Sequence, residues 1–222
     1  MPEQLAFHLP MRESRTRGDF FVSDANAFAL ARLDAPAGWP NRKLVLFGPE
    51  GAGKTHLAHV WAERTNALFL TPGKVVAERV PLIQQPVVLD DAMPMQRPEQ
   101  EAVFHLHNHL AAASLPFLLV AQEPPARWNL KLADLQSRMA ATDTAKIEAP
   151  DDALLSAVIV KQFADRQLIV PPNLVAWLVA RMDRSFAAAR HMVEALDHAA
   201  LAEGRAVSRS LAQNVLKELP SR

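Results

Sequence analysis

The stretch GPEGAGKT, Gly48 to Thr55, constrains this chain more than any other. It matches the phosphate-loop pattern G-x-x-x-x-G-K-[ST] at every fixed position. It also follows an apolar run, KLVLF, and leads into a helical pattern, which is the context the loop requires. Its glycines let backbone N–H groups wrap around phosphate oxygens at a helix N-terminus. Lys54 then reaches the β- and γ-phosphates, and the Thr55 hydroxyl ligates Mg²⁺. Gly48, Pro49, Glu50, Gly51, Ala52, Gly53, Lys54 and Thr55, with His56 behind them, form the candidate nucleotide-binding set.

VVLDDA, Val87 to Ala92, supplies the second half of such a site. A buried strand ending in an acid places a carboxylate beside the loop, where it can hold the metal's water shell. Asp90 takes that role, paired with Thr55. Asp91 has two readings: an activator of water, one methylene shorter than glutamate, or a solvated turn residue. Weak intrinsic hydrolysis is therefore the expectation.

Around these motifs, short continuous apolar runs alternate with helical patterns. KLVLF (43–47), ALFL (67–70), VVL (87–89) and FLLVA (117–121) read as buried strands, with AKIEA (145–149) a weaker fifth. Such runs imply a parallel sheet covered on both faces. After Ala149-Pro150 the strands stop. Asp151 and Asp152 can cap one helix, Pro171-Pro172 opens a second, Ser185 a third, and Ser208 or Ser210 a fourth. The expected organisation is an N-terminal peptide over 1–11, an α/β domain over 12–149 and a small all-α domain over 150–222. DAPAGWPN and QEPPARWN read as surface connections. The four tryptophans, Trp39, Trp61, Trp128 and Trp177, read as core or junction residues.

Bulk properties limit the partners. The 222 residues carry 24 basic and 24 acidic side chains, so the formal charge is zero, and a grip on duplex DNA through phosphates would call for a basic excess. The absence of cysteine removes disulfides and thiolate metal sites. With no signal peptide or spanning segment in view, the expected location is cytoplasmic and no membrane contact is expected. His105 and His109 share a helical face at i, i+4, but no third ligand accompanies them, so packing is the simpler reading.

Several segments together resemble one family, the AAA+ replication initiators of the DnaA family. They are FFVSDANAFALA (20–31), GPEGAGKTHLAHVWA, VFHLHNHL (103–110) and PPARWNLKLADLQSRM. The resemblance implies an AAA+ P-loop NTPase base with a five-stranded parallel sheet, followed by a small all-α lid. In that family the box arginine reaches a neighbouring subunit's nucleotide, so Arg138 inherits the role of a trans-acting finger. The apolar septet QLAFHLP, Gln4 to Pro10, resembles the peptide by which a short branch of the family binds the DNA polymerase III sliding clamp (its β subunit). Gln4 would anchor it, and Leu5, Phe7 and Leu9 would fill an apolar pocket; docking on the chain's own core is the alternative. The implied ligands are ADP or ATP with Mg²⁺, and the implied partners are DnaA and the clamp, with a homodimer also possible.

The pattern is broken in places. The first-sensor position falls on Gln122, a weak fit. The second-sensor arginine falls on Ala187, leaving Arg184 or Arg190 as substitutes. Thr71 to Pro86 is short where initiators contact single-stranded DNA, and the sequence ends at Arg222 without a duplex reader. Strong DNA binding is therefore not expected. Two rivals stand beside the regulator: a small phosphate-loop kinase acting on a nucleoside or metabolite, and a DNA-binding loader or initiator fragment.

Overall fold

The computed structural model describes residues 22–218. Five parallel strands, β1 (Lys43–Phe47), β2 (Leu68–Leu70), β3 (Val87–Leu89), β4 (Phe117–Ala121) and β5 (Thr144–Lys146), lie in the order β2-β3-β4-β1-β5. The first loop-bearing strand is thus near the centre, with Phe47 opposite Ala121 on one side and Lys146 on the other.

Alternation within each strand builds two cores. Leu44, Leu46, Val88, Leu118 and Val120 face α1 (Ala27–Asp34) and α2 (Lys54–Thr65). Val45, Val87, Leu89, Phe117 and Leu119 face α3 (Arg97–Ala112) and α4 (Ala133–Ala140). Strands buried on both faces read as unbroken apolar runs, so β1, β3 and β4 coincide with their predicted spans. The fifth strand does not: it begins at Thr144 and ends at Lys146, and only Ala145 of it is buried. The two proline-containing connections are largely exposed, as expected, and their tryptophans are core residues, as also expected. Each plants a tryptophan in the interior, Trp39 stacked on Trp61 at 5.4 Å and Trp128 against the α3–α4 core.

Four helices follow the sheet: α5 (Asp152–Asp165), α6 (Pro172–Val179), α7 (Phe186–Glu203) and α8 (Arg209–Glu218). Their capping follows the sequence. Asp151 accepts from Leu154 N at 2.7 Å, Ser185 from Ala188 N at 3.0 Å and Ser208 from Leu211 N at 3.4 Å. Leu155, Ile159, Phe163, Leu178, Met192 and Leu196 lead a third core that is separate from the two beside the sheet. No described helix is long and apolar enough to cross a membrane.

Candidate nucleotide site

The phosphate loop leaves the C-terminal end of β1 and is pinned on both sides. A Cβ on Gly48 would stand 2.1 Å from the Ile147 carbonyl oxygen, so no side chain fits between loop and β5. Gly51 has φ +73, and a Cβ there would lie 2.4 Å from the Ser185 Cβ. The Phe186 N–H donates to the Gly51 carbonyl at 3.0 Å, and its ring packs on Gly53. The start of α7 therefore sits directly on the loop. Sequence reasoning read Ser185 as a cap but missed this contact, which no local pattern encodes.

Lys54 opens α2 and folds back, donating to the carbonyls of Gly48 at 2.8 Å and Pro49 at 2.7 Å. Burial lowers its pKa, opposed by the charges of Asp90, Asp91 and Glu50. Thr55 donates its hydroxyl to Asp90 Oδ1 at 3.3 Å. Asp90 is buried, and that burial raises its pKa against the Thr55 hydrogen bond, with the Asp91 charge adding to the rise. A lysine and a carboxylate whose charged forms are both disfavoured gain from phosphates and a hard cation respectively. The donor set, hydroxyl and carboxylate oxygens beneath a loop of backbone N–H groups, fits a nucleotide with Mg²⁺. The bound ion would supply charge neutralisation between phosphate oxygens.

The other sequence candidates group around this end of the sheet in unequal ways. Asp91 is exposed with φ +49, a turn position beside Asp90. Gln122 is exposed immediately after β4, whose Ala121 is level with Phe47. His56 is half-buried in α2. Arg190 is exposed in α7, one turn beyond the loop contact, and Arg184 pairs with Asp152 at 2.8 Å. Ser23, Ala25 and Asn26 hang beside the loop: buried Asn26 accepts from Ser23 N at 3.0 Å, and Glu148 N donates to Ala25 O at 2.9 Å. Gln4, Leu5, Phe7 and Leu9 lie outside the described residues.

Arg138 is not at this site. It lies in the last turn of α4, which leads to the start of β5, where Thr144 is level with Val45. Its charge acts on Lys43 at the start of β1, whereas the phosphate loop leaves the other end of that strand after Phe47, four residue steps or about 13 Å along it. Arg138 is exposed, with its guanidinium carbon 5.2 Å from the Phe104 ring centroid. Gln100 holds this region in place and escaped sequence reasoning. It is 2% exposed, donates to Met95 O, and accepts from Lys131 N at 2.9 Å and Leu132 N at 3.1 Å, just ahead of α4.

The histidines of α3 diverge. His107 turns inward to Lys43, and His109 Nε2 is 2.8 Å from Ile83 O. No group of three His, Cys, Asp or Glu able to hold a metal occurs among the described residues.

Solved structures with the same architecture include DnaA replication initiators and RuvB. Domain III of the replication initiation protein DnaA from Thermotoga maritima matches with TM-score 0.78 and 20% identity, over 95% of this chain and 98% of that one. The fold is AAA+. An AMPPCP-bound DnaA from Aquifex aeolicus matches with TM-score 0.66 and 15% identity, over 79% of this chain and 62% of that one. A single-residue variant of RuvB from T. maritima matches with TM-score 0.70 and 14% identity, over 90% and 70%. At these identities the likeness is one of AAA+ fold. No family model matches the chain.

Proposed function

We propose that this chain is a DnaA-family AAA+ regulator of the Hda type, which switches off the initiator after replication begins. It holds an adenine nucleotide, ADP, with Mg²⁺ on Gly48–Thr55 and Asp90, and that nucleotide sets the angle between sheet domain and lid. Gln4, Leu5, Phe7 and Leu9 tether it to the sliding clamp in the cytoplasm. From there Arg138 is delivered to ATP held by DnaA and stimulates its hydrolysis.

One observation supports this reading above the rest. Arg138 lies near Lys43 at the start of β1, away from the phosphate loop at that strand's end, which is in keeping with an arginine that serves a nucleotide held by another chain. Exposed Asp91 and the Ala187 second-sensor position are in keeping with a weak intrinsic ATPase. Zero formal charge is in keeping with the absence of strong DNA binding.

The test is hydrolysis of ATP pre-bound to DnaA, with and without clamp loaded on DNA. Stimulation that needs the clamp and disappears in Arg138→Ala supports the proposal. Unchanged stimulation by Arg138→Ala removes the finger, and stimulation independent of clamp removes the tether.

A further inference from the structure

Lys43 and His107 are in contact, and Arg138 lies near enough for its charge to act on both, three basic side chains with no acid among them. Lys43 opens β1 and is 4% exposed. Its Nζ lies 2.7 Å from Nε2 and 3.2 Å from Nδ1 of His107, and it donates to the His107 carbonyl at 3.4 Å. His107 is itself 5% exposed. One turn earlier on α3, the Phe104 ring carries the guanidinium of Arg138, 5.2 Å from its centroid. Burial first, and the Arg138 charge second, hold Lys43 down to about 8. Burial, with the Lys43 and then the Arg138 charge, holds His107 down to about 4, against the hydrogen bond its ring donates to Asn108. Buried charges ordinarily lie beside a counter-charge. Here no described carboxylate pairs with Lys43 or with Arg138.

We propose that Lys43 is a positioning residue for Arg138: its buried ammonium, held by neutral His107, keeps the guanidinium turned outward on Phe104 and primed for a phosphate oxyanion on another chain. The inference rests on the trans-finger reading of Arg138. An acid at position 43 or 107 would draw the guanidinium inward and neutralise it. A cation there repels it outward, and an arriving phosphate meets two positive charges, one behind the other. The groups facing Lys43 are His107 of α3 and Arg138 of α4.

The experiment uses the full chain, DnaA carrying labelled ATP and loaded clamp, and compares Lys43→Met, Lys43→Met with His107→Leu, and Arg138→Ala. Methionine keeps the length and removes the charge, and replacing a buried charge by an apolar group leaves a fold intact or firmer. The double variant guards against an orphaned imidazole. Both Lys43 variants should retain ADP binding and melt no lower than the unaltered chain, yet stimulate hydrolysis about tenfold less. As pH rises through about 8, stimulation by the unaltered chain should fall relative to Lys43→Met, because Lys43 discharges there while His107 is already neutral. Full stimulation by Lys43→Met, alongside its loss in Arg138→Ala, overturns the positioning role alone. A loss that comes with a lowered melting temperature in both Lys43 variants marks Lys43 as structural and overturns it too. Full stimulation by Arg138→Ala, or none from the unaltered chain, overturns the finger and this inference together.

Discussion

Single residues decide whether each end of the sheet is organised. Gln100 satisfies two backbone N–H groups ahead of α4 with one oxygen. Gln100→Leu leaves both unpaired in the interior, at a cost of about 2–3 kcal/mol, and denaturant unfolding should record that loss. The Lys43–His107 pair makes stability depend on pH. The Lys43 pKa in the folded chain, about 8, lies below its ordinary 10.5, so across that window the unfolded chain binds more protons. Stability contributed there rises from about pH 8 to 10.5, and the full penalty applies below 8. His107 repeats the sign between about 4 and 6.5, with the full penalty below 4. Melting curves across pH should show both rises, and Lys43→Met should flatten the upper one. The Gly-rich loop was legible because its pattern is local. Gln100 and Lys43 were not, since their partners lie 31 and 64 positions away.

At the scale of elements, what sequence made visible was burial and capping. β1, β3 and β4 have interior on both faces, so their composition alone marks them. Strand β5 has one buried residue at the sheet edge, and its apolar pattern extends past it into Ile147, which packs with Ala145 in the α1–α2 core. The helical starts at Asp151, Pro172, Ser185 and Ser208 were readable because capping is a contact of three residues. Asp151→Ala should cost about 1 kcal/mol in thermal or chemical unfolding by freeing the Leu154 N–H. The seating of α7 on the phosphate loop was invisible, because it joins segments more than 130 positions apart through Phe186 N and Gly51 O. Gly51→Ala forces a Cβ against Ser185 and a side chain into the left-handed region. It should loosen the lid, which protease cleavage between α6 and α7 would register as faster nicking.

On the proposed reading, the whole molecule separates two tasks along the strand direction: a phosphate site where the strands end, and an exposed arginine near where β1 begins. A ligand bound only by the folded chain stabilises it, by about 2.7 kcal/mol at a hundred times its dissociation constant, so ADP with Mg²⁺ should raise the melting temperature. The separation itself is tested most directly by calorimetric titration of ADP into the unaltered chain, Lys54→Ala and Arg138→Ala. Lys54→Ala should bind about 10- to 100-fold more weakly, having lost a charged hydrogen-bond donor to phosphate. Arg138→Ala should bind like the unaltered chain. Equal binding by Lys54→Ala, or weakened binding by Arg138→Ala, would contradict the division of the molecule into a site that holds its own nucleotide and an arginine that serves another.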